Sequence, residues 1–408
     1  MKISEVIEKV RVWGVAGICS YVRRTIDARI VARRLRTLAK DSEGTTPTRG
    51  VTIIGEMSGR VSLSKTLRDF ALALRDAGIP CQVFDTNRHP QIPQADLVAS
   101  ESPFNLRKYD HVVMMYRSPL DLSLVPELKI ARIVFHESEH GLEKTAPYLW
   151  DGRSEILAMS DFNCEYYRRI FQQQRVCKIL YPLRPHVAGC SSRSALRAKY
   201  GIGADDFVVY FNFDFGSYHR KNAVAAIRAF ARAFADVPTA KLLFKTKGAD
   251  RNVRCVRELE SVAQSLGVAD RFVHLSSYLP RADVDGLVDV CDVYLSLHRG
   301  EGFGLGMAEA MLNAKPVVAT DWSSNTEFCK PENSMPIPYR IVPIRPHEYM
   351  LSMREWAEAD VDAAAAALRK LYDDPAFRAD LGHKAQAFIH DYFTVGTFKR
   401  SVEAWLDA

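Results

Sequence analysis

Two glutamates eight positions apart, Glu301 and Glu309, flank a glycine-rich stretch in the run His298-Arg-Gly-Glu-Gly-Phe-Gly-Leu-Gly-Met-Ala-Glu-Ala-Met311. Carboxylates accept paired hydrogen bonds of the kind that neighbouring hydroxyls on a sugar or ribose ring supply. Gly302, Gly304 and Gly306 let a ligand approach backbone N–H groups closely, and the N-terminus of the helix they open favours a phosphate. The ligand implied is both phosphorylated and polyhydroxylated. Upstream, Phe213-Asp-Phe-Gly-Ser-Tyr-His-Arg220-Lys221-Asn222 follows a strand-like run and precedes a helical stretch. Taken alone, an Arg-Lys pair at a helix start reads as a solvated surface. Lys245, in Lys245-Thr-Lys247, ends another strand, where it either adds positive charge to the same site or faces solvent.

The order of elements sets these segments in place. After the polar linker Asp41–Gly50 the first strand signal is Val51–Ile54, and Cys81–Phe84, His111–Met115, Ile130–Phe135 and Ile156–Met159 follow, separated by turn or helix signals. Strand and helix in alternation predict an α/β domain with a largely parallel sheet. The alternation restarts after Pro182–Ser194. Val208–Phe213, Lys241–Phe244, Arg271–Leu275, Val293–Leu297 and Pro316–Ala319 read as strands, with helices near 223–235, 253–266, 282–289 and 307–313. The expected organisation is a basic helical segment and linker (1–49), two Rossmann-like domains (50–190 and 191–385) and a C-terminal helix (386–408) returning to the N-terminal domain.

Charge is informative once located. Residues 1–40 carry ten Lys and Arg against three acids, which leaves the other 368 residues with 45 basic and 46 acidic side chains. Nucleic-acid binding needs basic groups spread over the surface that meets phosphate, so the balanced body argues against it. Ile3, Val6, Ile7, Val10, Trp13, Ile18 and Tyr21 recur at helical spacing, and the apolar run Val12–Val22 is eleven residues long, short of the roughly 20 that a spanning helix needs. Followed by Arg23-Arg24, Arg29, Arg33-Arg34, Arg36 and Lys40, it predicts either a helix lying on an anionic membrane surface or one packed on the body or a partner. Eight cysteines without a CxxC pair or regular spacing point to reduced thiols in a cytoplasmic compartment.

From about residue 205 to 400 the chain resembles the retaining glycosyltransferases with the two-Rossmann-domain (GT-B) fold, the family usually numbered four, whose E-x7-E element Glu301 and Glu309 match. The resemblance implies that Glu301 contacts the donor sugar and that Glu309 holds the ribose of the nucleotide. It also implies that Lys221, with Arg220, neutralises the donor diphosphate, and that Gly302, Phe303, Gly304, Leu305 and Gly306 line the donor. Relatives place an arginine five positions before the lysine. Gly216 stands there, so Arg220 either takes over that role or faces solvent. Asn325, in Ser323-Ser-Asn-Thr-Glu-Phe328, corresponds to a donor-facing turn. Gly55 and Gly59 correspond to a loop bordering the acceptor and the donor phosphate, although relatives read Ser-Gly-Leu-Gly where this chain has Ser58-Gly-Arg-Val61. Trp356-Ala-Glu-Ala-Asp360 resembles a branch with an Arg-Lys-Asn motif, many of whose members use GDP-mannose.

The expected activity is retaining, metal-independent transfer of a hexose, mannose from GDP-mannose being the first choice, to a glycan or lipid-linked glycan. No cofactor is expected beyond the nucleotide-sugar substrate, and the expected place is the cytoplasm, peripheral on the inner membrane face. Rival readings are a non-catalytic nucleotide-sugar or glycan-binding subunit of a polysaccharide assembly complex, or an epimerase or phosphorylase on the same scaffold. His136-Glu-Ser-Glu-His140 matches H-E-x-x-H by letter, but it follows a strand-like run and stops at Gly141, so His136 and Glu137 are expected in a strand-end loop facing the cleft rather than on zinc. Asp283-Val-Asp285 and Asp360-Val-Asp362 are expected to be surface acids at helix starts rather than metal ligands.

Overall fold

The computed structural model describes residues 23, 25–59, 62–90, 104–115, 120–135, 151–184, 192–345 and 354–408. After a helix over residues 25–41 (α1), the first half runs β1 (Thr48–Gly55), α2 (Ser62–Asp76), β2 (Cys81–Asp85), β3 (Tyr109–Met115), β4 (Lys129–Ile133), β5 (Glu155–Ala158), α3 (Asp161–Ile170) and β6 (Val176–Lys178). Its strands pair in parallel in the order β2-β1-β3-β4-β5-β6. The second half begins with α4 (Arg193–Lys199), β7 (Phe207–Asp214), α5 (Tyr218–Lys221), α6 (Ala223–Ala233), β8 (Ala240–Lys247), α7 (Val253–Ser265) and β9 (Phe272–Leu275). It continues through α8 (Arg281–Val290), β10 (Val293–Ser296), α9 (Leu305–Leu312), β11 (Val317–Thr320) and β12 (Met335–Ile337). The sheet order there is β12-β11-β10-β7-β8-β9, again parallel throughout.

β1 and β7 are near-continuous buried runs, as strands covered on both faces must be. The two-domain α/β architecture follows the sequence expectation, with differences at the margins. β4 stops at Ile133, two residues short of the expected Phe135. β6 and β12 have three residues each, too few to establish a period. An antiparallel hairpin, β13 (Tyr339–Pro343) with β14 (Glu355–Ala359), was not anticipated, because β13 is almost wholly exposed and carries no buried alternation.

The chain ends on α10 (Val361–Asp373), α11 (Pro375–Tyr392) and α12 (Val395–Leu406). The expected boundary at residue 386 falls inside α11. The break comes instead at Thr394, whose hydroxyl accepts the Thr397 N–H in a capping box. α12 lies on the first half: the Phe398 ring meets Phe70 at 5.5 Å, Trp405 meets His111 at 4.9 Å, and the Trp405 indole N–H donates to Glu155 at 2.6 Å. A single buried apolar cluster includes residues of both sheets. α1 is fixed to the body through Val31, Leu35 and Ala39, which join Ile54, Phe84, Val112 and Met114 in a second cluster, while Ile26 and Ile30 point outward beside exposed Arg29 and Arg33. Among the described residues no helix is long and apolar enough to cross a membrane.

Candidate active site

The strand order of the second sheet reverses between β7 and β10, and open parallel sheets bind ligands outside the carboxyl ends of the strands at such a reversal. The segments leaving these strands are Phe215–Lys221 and Leu297–Gly304, so topology brings Lys221 to Glu301. Locally, the Asp214 carboxylate accepts the Gly216 N–H at 2.8 Å and turns the chain into the short helix α5. Asn222, in the left-handed region at φ 55°, separates α5 from α6 and ends the turn at Lys221.

Glu301 is 6% exposed. The Lys221 ammonium donates to its Oε1, and Arg220 Nη1 lies 3.7 Å from the same oxygen. Burial alone would raise the carboxyl pKa, but the charges of Lys221 and Arg220 outweigh it and hold the group down at about 2. Arg220 is buried and Lys221 is partly exposed. Arg220 also donates to the Gly300 carbonyl at 2.7 Å and to Ser217 Oγ at 3.2 Å. With one carboxylate and two cations the pocket carries a net positive charge suited to an anionic ligand. Leu305 and Gly306 open α9, where first-turn N–H groups lack intrahelical acceptors.

Glu309 lies further along α9, partly buried, with Oε1 3.7 Å from Lys65 Nζ of α2 in the first half. The glycines do not act alike. Gly304 needs its left-handed φ of 100° to start the helix, and a Cβ there would meet Met307 Cε at 2.5 Å. A Cβ on Gly302 would come within 2.8 Å of Phe135 Cβ from the first half. At Gly306 the space is taken by the Tyr294 hydroxyl and by Asn212 Oδ1, 2.7 Å from the missing Cβ, so its lack of a side chain serves packing and not ligand approach. The Phe303 ring is buried against Tyr181, Phe328 and Phe393, which removes it from any ligand-facing surface. Leu305 packs partly buried against the same core.

Asn325 is a brace. Its Oδ1 accepts His298 Nε2 at 2.9 Å and its amide donates to the Thr320 carbonyl at 2.9 Å, leaving it buried at 1% exposure. Lys245 turns back to the carbonyls of Thr246 and Ser277, at 2.7 and 3.1 Å. Gly55 gives room to the Leu67 side chain, and Gly59 to Glu56 and Ser64, while the Gly59 carbonyl accepts Arg68 at 2.8 Å. Asp283, expected at the surface, is buried and bound by Lys199 at 2.5 Å and Tyr200 at 2.9 Å, whereas Asp360 caps α10. His136 and Glu137 lie outside the described residues.

Three supporting residues carry no role in the sequence reading. Arg299 donates to the His219 carbonyl at 3.0 Å, pairs with Glu358 at 2.7 Å and lies over the Trp356 ring at 4.7 Å. Glu358 also accepts from Asn222 at 3.1 Å, so the Trp356-Ala-Glu358 segment braces the Lys221 turn. Ser323 accepts the Glu301 N–H at 2.7 Å from a backbone at φ 74°, a region L-residues rarely adopt. His298, wholly buried beneath Glu301, has its pKa lowered by burial and its Nε2 directed at the Asn325 and Trp322 oxygens. Adjacency of His298 and Arg299 to Glu301 was the available signal. Partners such as the His219 carbonyl, Glu358 and Asn325 lie 27 to 80 residues away in sequence, which no spacing discloses.

Residues 213–374 match the family model described as Glycosyl transferases group 1. No curated protein matches the sequence. Among solved structures the chain is similar to a sucrose-phosphate synthase (tll1590) from Thermosynechococcus elongatus, with 16% identity, a TM-score of 0.61, and 89% of this chain and 98% of that one covered. It is similar also to Anabaena Alr3699/HepE in complex with UDP and glucose, with 17% identity, a TM-score of 0.62 and 88% and 100% covered. A third is WaaG, a glycosyltransferase involved in lipopolysaccharide biosynthesis, with 16% identity, a TM-score of 0.59 and 87% and 99% covered. At these identities the likeness is one of fold, and that fold is GT-B. The family match falls on the half that holds Lys221, Glu301 and Glu309, and it marks that half as a group 1 glycosyltransferase domain of a transferase enzyme.

Proposed function

We propose that the protein is a retaining glycosyltransferase that moves a hexose from a nucleotide-sugar to a glycan or lipid-linked glycan, with no metal or cofactor. The observation that carries this reading is the buried Lys221–Glu301 pair, set with Arg220 at the strand-order reversal beside the first turn of α9. Breaking the bond from the anomeric carbon to the diphosphate develops negative charge on the departing group. Lys221, Arg220 and the Leu305 and Gly306 amides stabilise that charge, and they do so more strongly where water is excluded. Glu301, ionised throughout the physiological range, accepts hydrogen bonds from the sugar, and Glu309 takes the ribose hydroxyls. The acceptor hydroxyl attacks from the face of the departing diphosphate, the new glycosidic bond keeps the anomeric configuration, and the diphosphate takes the hydroxyl proton.

Structural neighbours in complex with UDP or UDP-glucose support a nucleotide-sugar as the partner. GDP-mannose is the donor favoured by the Trp356-Ala-Glu-Ala-Asp360 resemblance, in which Glu358 braces Asn222 beside Lys221. The outward Ile26, Ile30, Arg29 and Arg33 of α1 suit an anionic membrane, and hence a lipid-linked acceptor on the inner membrane face.

Thermal unfolding with GDP, UDP, ADP, dTDP and CMP tests the donor site. A ligand at 100 times its dissociation constant stabilises by about 2.7 kcal/mol, a shift of a few degrees. A rise with GDP that is absent in Lys221→Ala and Glu309→Ala supports the reading. A rise with UDP alone replaces the donor, and no rise with any nucleotide removes the donor site. Transfer from the matching sugar nucleotide in EDTA, with the product anomer read by NMR, then separates catalysis from mere binding and retention from inversion.

A further inference from the structure

Lys65 and Asp69 stand one turn apart on α2, in the first half, yet they reach both ends of the segment that carries the donor residues in the second. Lys65 Nζ lies 2.6 Å from Asp69 Oδ2 and 3.7 Å from Glu309 Oε1. The same Asp69 oxygen accepts the Tyr181 hydroxyl at 3.2 Å, and the Tyr181 ring stacks on Phe303 with centroids 4.5 Å apart and planes 22° from parallel. Phe303 sits two residues after Glu301. Asp69, 7% exposed, is therefore the node at which a hydrogen bond leading to Phe303 and an ion pair leading to Glu309 meet.

Partly buried ion pairs contribute little net stability, since desolvation offsets their attraction. This one does fix a geometry. Lys65 is flanked by two carboxylates on different halves, so its position limits the rotamers open to Glu309. We propose that Lys65 and Asp69 are positioning residues of the donor site, which hold the Glu309 carboxylate for the nucleotide ribose and thereby make donor affinity depend on the acceptor half. The identity of the ligand rests on the glycosyl-transfer reading, whereas the positioning does not.

The test uses the full chain with Lys65→Met, which keeps the aliphatic stem, Lys65→Arg, Glu309→Gln and the Lys65→Met/Glu309→Gln double variant. Calorimetric titration with GDP and UDP is paired with hydrogen exchange over residues 303–312 in the absence of ligand. Lys65→Met should weaken binding of the nucleotide that wild type binds by about tenfold, and Lys65→Arg should return to within about threefold. The double variant should bind no more weakly than Glu309→Gln alone, because both substitutions act through one carboxylate. In turnover the donor KM should rise more than kcat falls. Exchange over 303–312 should quicken in Lys65→Met and not in Lys65→Arg. Unchanged or tighter nucleotide binding in Lys65→Met overturns the proposal, as does a double variant whose losses multiply. If wild type binds neither nucleotide the donor reading itself has failed, and exchange alone decides, with unchanged protection in Lys65→Met ruling the positioning out.

Discussion

Lys221 Nζ donates a hydrogen bond to Glu301 Oε1 across 80 residues of sequence, with Glu301 buried and the second nearest cation 3.7 Å away. Removing one member of such a pair leaves an uncompensated buried charge, which costs about 3–5 kcal/mol. Lys221→Met should therefore lower the melting temperature clearly, with Arg220 limiting the loss to the lower end of that range. Lys221→Met/Glu301→Gln should regain most of the stability and none of the nucleotide binding. Chemical unfolding of the four species closes the cycle, and a double variant no more stable than Lys221→Met would refute the pairing.

Gly306 offers a separate test of why a glycine stands there. A Cβ would collide with the Tyr294 hydroxyl, which itself donates to Asn212 at 2.7 Å. Gly306→Ala should destabilise by about 1–3 kcal/mol, the usual cost of overpacking. In a Tyr294→Phe background the clashing oxygen is gone and the penalty should shrink. Equal penalties in the two backgrounds, measured by denaturant unfolding, would show that Tyr294 is not the obstacle.

The same glycine marks the limit of what residue types disclose. A missing Cβ has one signature whether a phosphate or a tyrosine fills the space, and only the fold puts Tyr294 of β10 behind Gly306. The strand-end settings of Glu301 and Lys221 were legible in apolar runs such as Val208–Phe213 and Val293–Leu297, but their pairing was not, since an Arg-Lys pair at a helix start reads by residue type as a solvated surface. Arg299 and Ser323 were not, because they serve the His219 carbonyl and the Glu301 N–H, distant groups that every residue possesses. Asp283 was misjudged for a related reason. An acid at a helix start is ordinarily solvated, and here Lys199 and Tyr200 of another helix cover it. β13 escaped notice because an exposed strand paired only at its edge needs no buried alternation.

His298 predicts how the site responds to acid. Burial lowers its pKa below the ordinary 6.5, and its Nε2 faces the Asn325 and Trp322 oxygens while Nδ1 meets Ser296 Oγ at 3.0 Å. The unfolded chain takes up this proton near pH 6.5 and the folded protein only at lower pH. Stability is thus complete above pH 6.5 and declines as pH falls through the window below it. His111 and His274, also lowered by burial, act in the same direction. Glu301, held at about 2, contributes nothing to the change in this range, and its stabilisation is lost only below about pH 4.5. Melting temperatures between pH 8 and 5 should fall with a slope that His298→Asn reduces by up to one proton, and an unchanged slope would contradict the buried neutral imidazole.

The outward face of α1 can be separated from its inward one. Val31, Leu35 and Ala39 pack on the first half and Arg107 donates to the Ala39 carbonyl at the end of the helix, so the helix is part of the folded body. Ile26 and Ile30, 51% and 40% exposed, lie on the other side with Arg29 and Arg33 and contribute nothing to that packing. Replacing Ile26 and Ile30 by Ser and Arg29 and Arg33 by Gln should leave the melting temperature within about a degree or two, since exposed positions away from packed contacts rarely matter. Basic residues near an anionic surface contribute about 1 kcal/mol each. Loss of two, apart from the isoleucines, should therefore weaken binding to phosphatidylglycerol vesicles by roughly 30-fold. Sedimentation with phosphatidylcholine vesicles should be poor for both proteins, and 0.5 M salt should abolish most of the difference. Equal sedimentation of the two proteins with phosphatidylglycerol would exclude this face of α1 as the membrane contact.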